Sequence, residues 1–129
     1  MQKTRIRAVV LFILMLSMVG CSLFNPGPSQ VVKNFFQYVE KGDVENAAKL
    51  FSKQSAQTFG SKLSSIMAYQ VSTIKSKGGI KSIDTQETIT GDVAKVTYKV
   101  TFNNTATEDG SFDLIKENGE WKIQVSMNK

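Results

Sequence analysis

The spacing of apolar residues changes from three and four to two across Gly78-Gly79, and this change constrains the fold more than any other feature of the chain. Before it, Val31, Val32, Phe35, Phe36 and Val39 recur at helical spacing, which predicts one amphipathic helix with Ser29 as its cap. Gly42 ends that helix and Asp43 caps a second one carrying Val44, Ala47, Ala48 and Phe51. A longer helix from about Ser55 puts Phe59, Leu63, Ile66, Met67 and Ile74 on one side, with Gly60 weakening its first turn by about 1 kcal/mol relative to alanine. After the glycine pair, Ala94, Val96, Tyr98, Val100 and Phe102 alternate with Lys95, Thr97, Lys99 and Thr101, and Trp121, Ile123, Val125 and Met127 alternate in a last segment. Helices followed by a four-stranded antiparallel meander make an α+β domain.

Turn chemistry sets the register of that meander. A two-residue turn at Gly91-Asp92 pairs Ile89 with Ala94, Glu87 with Val96, Thr85 with Tyr98 and Ile83 with Val100, leaving Asp84 opposite Lys99 on the solvated face. A turn at Asn118-Gly119 likewise pairs Leu114 with Ile123 and Phe112 with Val125. The middle hairpin does not close this way. A two-residue turn at Asn103-Asn104 would set Phe112 opposite Lys95 and send neighbouring apolar rows to opposite faces. An irregularity is therefore expected at residues 103–105 or at Gly110.

The N-terminal segment reads differently. Lys3, Arg5 and Arg7 precede an apolar run over residues 8–19, and Gly20 precedes Cys21, the only cysteine of the 129 residues. This is the order of a cleaved export signal, and the run is shorter than the about 20 residues that span a bilayer as a helix. The sequence Met18-Val19-Gly20-Cys21 resembles the lipobox of bacterial lipoproteins, with Met18 in place of the preferred leucine. That resemblance implies cleavage before Cys21, lipidation of its sulfur and a membrane anchor, because several acyl chains on one residue hold a protein stably where one does not. It divides the chain into a signal peptide (1–20), a lipidated cysteine with a short tether (21–28) and one domain (29–129). Ser22 rather than aspartate after the cysteine implies the outer membrane, facing the periplasm, if the source is Gram-negative. The seven residues 22–28 reach at most about 25 Å, so the domain would lie close to the bilayer.

Composition excludes several functions. Once the three basic residues of the signal are set aside, thirteen lysines face eleven acids, scattered without the arginine-rich or aromatic-interleaved patch that nucleic acid requires. There is no histidine, which removes the commonest general base near neutral pH and the commonest metal ligand. No cluster has metal-ligand spacing and no glycine pair forms a phosphate loop, so no cofactor is expected.

From residue 28 to 127, PSQVVKNFFQYVEKGDVENAAKLFS, GGIKSI, TGDVAKVTYKV and DGSFDLIKENGEWKI resemble the DUF4878 and lumazine-binding-like domains of the NTF2-like superfamily. The resemblance implies a curved sheet wrapped around helices, a cone with a pocket, and little about activity, since the superfamily hosts enzymes, binders and scaffolds alike. An enzyme resembling ketosteroid isomerase would need a pocket carboxylate with a facing hydrogen-bond donor, and the register sends Glu87, Thr85 and Tyr98 to the helix side. Phe35 and Phe36 are core or pocket wall, and Trp121 is expected to close one end of the core over the Lys116 stem. Two readings follow. One is an envelope lipoprotein whose non-catalytic cone binds a small apolar ligand or a partner protein. The other is a histidine-free isomerase-like or hydrolase-like enzyme using Glu87. Glu87 is expected to point inward yet remain partly solvated, and so to do no catalysis.

Overall fold

The computed structural model of the chain describes residues 25–125, so Cys21, the signal-like segment and Met127 lie outside the described residues. Helix α1 (Pro28–Glu40) begins at a proline whose missing N–H is no loss in a first turn. It buries Val31, Val32, Phe35, Phe36 and Val39, each worth about 1.5–3 kcal/mol on transfer from water. Ser29 is not its cap. Gly27 occupies that position without a side chain, and Ser29, already helical, donates its backbone N–H to Glu87 Oε2 at 3.1 Å. Because Pro28 takes the first helical position, the cap position falls two residues ahead of the serine and a carboxylate from the sheet serves instead.

The helix ends on a paired turn at Gly42 (φ 74°), where Asp43 N–H reaches Tyr38 O at 2.8 Å and Gly42 N–H reaches Val39 O at 3.0 Å. Asp43 then caps α2 (Val44–Ala48) by accepting from Asn46 N–H at 3.2 Å. Helix α3 (Lys53–Ser76) starts earlier than its apolar spacing predicts, because Ser52 caps it by accepting from Ser55 N–H at 3.1 Å. Its axis is kinked at Gly60 (φ 25°), so glycine marks a bend and not only a weak turn. Leu63, Met67 and Ile74 are buried, but Ile66 is 56% exposed and is not a core residue. It stands one step of about 100° around the helix from Met67, on the flank of the buried stripe. A second paired turn closes α3, with Gly79 N–H to Ile74 O at 3.0 Å and Gly78 N–H to Lys75 O at 3.1 Å, at φ values of 93° and 83°.

The four strands β1 (Ile80–Thr90), β2 (Val93–Phe102), β3 (Thr107–Glu117) and β4 (Glu120–Gln124) form one antiparallel sheet in sequential order. Ile89, Glu87, Thr85 and Ile83 pair with Ala94, Val96, Tyr98 and Val100, and Leu114 pairs with Ile123, as turn chemistry predicts. Phe112 and Val125 extend that second register just beyond the ladder, which ends at Asp113 opposite Gln124. The middle hairpin turns on Asn103, Asn104 and Thr105, with Phe102 N–H donating to Ala106 O at 2.9 Å and Thr105 at φ 73°. This three-residue loop restores the parity that sets Phe112 opposite Val96. Gly110 carries no bulge: it pairs directly with Tyr98, whose ring lies across it.

The β4 edge is covered by its own chain. Ile123 N–H donates to Leu50 O and Ser52 N–H to Ile123 O, both at 2.8 Å, in a short parallel bridge. Beside it the buried Ser52 and Ser55 hydroxyls share a 2.9 Å hydrogen bond, Ser52 reaches Gln124 Oε1, and Val125 N–H donates to Ser55 Oγ at 2.8 Å. The core lies between this sheet face and the helices, where Val96, Val100, Phe102, Leu114 and Ile123 meet the apolar face of α1. At the far end Lys116 Nζ lies 5.6 Å from the Trp121 ring centre.

Candidate functional site

Aromatic side chains from three parts of the fold converge where α1 and α3 diverge over the sheet. Phe35 packs edge-on against Phe36, Phe51 and Phe112, with ring centres 5.3, 5.7 and 5.4 Å apart. Tyr98 stacks on Phe112 at 5.3 Å and meets the edge of Phe36 at 4.9 Å. The spacings follow from local geometry: Phe35 and Phe36 are adjacent on one helical face, and Tyr98 and Phe112 occupy same-face positions of paired strands. Helix α3 supplies the opposite wall with Phe59, Leu63, Ile66 and Met67, and Val125 closes the sheet side. The partly open cavity has a volume of about 410 Å³, within the range of small-molecule sites.

Three polar side chains reach this cavity: Lys62, Gln70 and Tyr98. Burial pushes the Tyr98 phenol above its ordinary pKa of 10.0, with the nearby Glu108 carboxylate adding to the shift, so it remains a protonated donor near neutral pH. Gln70 Oε1 is sealed from solvent and has no hydrogen-bond partner among the described residues.

The side chains singled out from sequence are distributed over three places. Phe35, Phe36 and Tyr98 line the apolar cavity. Thr85 lines a separate, more open hollow of about 730 Å³, with Lys33, Asp84, Lys99 and Asp109 around it and Tyr98 at its boundary. That hollow is bordered by charges of both signs and is the more open of the two, whereas the smaller cavity is lined mainly by carbon, so the smaller cavity is the better binding site. Glu87 lines neither. It does face the helix side, as its register requires, but it is exposed and its carboxylate accepts from Ser29 N–H at the start of α1. It therefore forms no acid–base group with Tyr98 and Thr85.

Apolar spacing put Phe59, Leu63, Ile66 and Met67 on one side of α3 but did not mark them as a cavity wall. Leu63, Met67 and Ile74 were recognisable as a stripe, and Gln70 falls on it three residues after Met67, a polar residue at an apolar position. That misfit was the readable signal for a lined space instead of a filled core.

No curated protein matches the chain. Among solved structures, a Campylobacter jejuni protein provisionally named an NTF2-like transpeptidase is similar over 78% of this chain and 100% of its own, at 24% identity and a TM-score of 0.69. That likeness establishes the NTF2-like fold. The model of the family described as a domain of unknown function, DUF4878, matches residues 19–124, and the chain belongs to that family.

Proposed function

We propose that this protein is a lipid-anchored envelope protein whose NTF2-like domain is a non-catalytic module that binds a small apolar molecule. The observation that carries the reading is the cavity of about 410 Å³ walled by Phe35, Phe36, Phe51, Phe112 and the α3 side chains Leu63 and Met67. A partly open cavity lined mainly by carbon between a helix layer and a sheet keeps apolar surface in contact with water, and an apolar ligand covers it. The anchoring part of the proposal rests on the order of basic, apolar and Gly-Cys elements in residues 1–21. Enzymatic use of Glu87 has no observation in its favour, since its carboxylate serves the start of α1 and stands outside the cavity.

One preparation tests both parts. Full-length protein expressed in a Gram-negative host is extracted from membranes, and its intact mass and organic-soluble contents are measured. The proposal predicts an N-terminus at Cys21 carrying acyl chains and a low-mass apolar compound released on denaturation. An unacylated chain would contradict the anchor. Absence of any released compound, together with no uptake of added aromatic compounds, would contradict the binding module.

A further inference from the structure

Lys62 is the charged side chain in the lining of the apolar cavity. It is also exposed, which sets its flexible stem against the carbon wall and leaves its ammonium in water at the open side. No Asp or Glu lines the cavity, and α3 (Lys53–Ser76) contains neither residue, so no neighbour three or four positions away on the helix offsets that charge. Among the described residues the sole salt bridge joins Lys122 to Glu120, at 3.4 Å on β4, and Lys62 has no carboxylate partner. The other two polar side chains offer a ligand less. Gln70 Oε1 is closed off from the cavity as well as from solvent, and the Tyr98 hydroxyl lies against the Gly110 backbone.

We infer that the cavity takes small organic acids: a compact apolar body seated among Phe35, Phe36, Leu63 and Met67, with its carboxylate at the mouth beside the Lys62 ammonium. This rests on the binding reading given above and adds the charge and orientation of the ligand. The volume of about 410 Å³ lies toward the lower end of ligand pockets, which limits the body to a compact one. A carboxylate is too costly to bury among carbon, so such a molecule enters body first and keeps its charged end at the open side. There it meets the ammonium, and the two pair without either leaving water completely. An amine of the same shape is disfavoured, because its charge would stand beside Lys62 with no acid in the lining to offset the repulsion.

The test uses probes that share one ring system and differ in charge: β-naphthoate, β-naphthylmethanol and protonated β-naphthylmethylamine. The full chain in phosphatidylcholine nanodiscs is titrated calorimetrically with each at low salt, with empty nanodiscs as the blank. The expected result is β-naphthoate tighter than the alcohol by about three- to fivefold, the worth of a partly solvated ion pair, and the amine weakest. In Lys62→Met, which keeps an apolar stem, the preference for the anion falls to within about twofold while the alcohol still binds. In Lys62→Glu the order of anion and amine reverses. Lys95, opposite Thr88 on the other face of the sheet, is the control: Lys95→Met keeps the full preference and so separates Lys62 from the net charge of the chain. Equal affinities for anion and alcohol in the natural protein overturn the inference and leave the binding module standing. A preference that survives in Lys62→Met, or is lost equally in Lys95→Met, also overturns it. If none of the probes binds, the binding module itself falls and the inference with it.

Discussion

Replacing Gly110 with alanine reverses the usual sign of that substitution. Gly110 lies in a strand with φ outside the left-handed region, where a glycine-to-alanine change ordinarily stabilises by about 0.4–1 kcal/mol through the unfolded chain. Here the added Cβ would sit 2.6 Å from Tyr98 Cζ and 3.0 Å from Cε1, whereas carbon atoms in contact prefer about 3.5–4.0 Å. The ring would have to retreat by roughly 1 Å by that comparison. Phe112 stacked at 5.3 Å and Phe36 at 4.9 Å oppose the move. Overpacking of this kind costs about 1–3 kcal/mol, which outweighs the entropic gain. Gly110→Ala should therefore lose about 1–2 kcal/mol and roughly 10 °C in Tm, read by thermal and urea unfolding followed by circular dichroism. In a Tyr98→Leu background the same change should be neutral or stabilising. A Gly110→Ala protein as stable as the natural one, or the same loss in both backgrounds, would refute the reasoning.

Three further outcomes follow from single contacts. Glu87→Ala should lower stability by about 0.5–1 kcal/mol in urea unfolding, because it removes an acceptor and a negative charge from the start of α1. Ser52→Ala should cost about 2 kcal/mol in urea unfolding, since it removes the α3 cap and leaves the Gln124 amide without its hydroxyl partner. Hydrogen bonds from the Asn46 side chain and backbone hold the Asp43 carboxyl below its ordinary pKa of 3.8, so its contribution is complete above that value and disappears as pH falls through the lower folded-state value. An acid titration of stability should accordingly show Asp43→Asn losing less than the natural protein over that interval.

The parts of the fold that were legible in the sequence are those decided by local chemistry. Gly91-Asp92 and Asn118-Gly119 set the parity of their hairpins, and from that parity the inward rows of β1, β2 and β4 follow. The failure of the same arithmetic at Asn103-Asn104 located a real three-residue loop. Features set by distant partners were not legible. Gly110 looked like a bulge, yet it is the seat of the Tyr98 ring, a contact visible only once β2 and β3 are paired. Ser29 looked like a cap, but the acceptor comes from Glu87, 58 residues away. The buried Ser52 and Ser55 pair is tied to Gln124 and Val125 across about 70 residues and has no periodic signature. For the site, apolar spacing identified Phe35 and Phe36 but could not distinguish a packed core from a lined cavity, because that depends on how α3 side chains distant in sequence stand across from them.

The central claim is that the space between α1, α3 and the sheet is a binding site. Its most direct test is methyl NMR of the full chain in nanodiscs during titration with β-naphthol. The account predicts saturable shifts at the methyl groups of Leu63, Met67 and Val125, all of which line the cavity. It predicts none at Ile89 and Val93, which are 50% and 52% exposed elsewhere on the sheet and report non-specific contact. Shifts that follow exposure, largest at Ile89 and Val93 and absent at the buried Met67, would contradict the account.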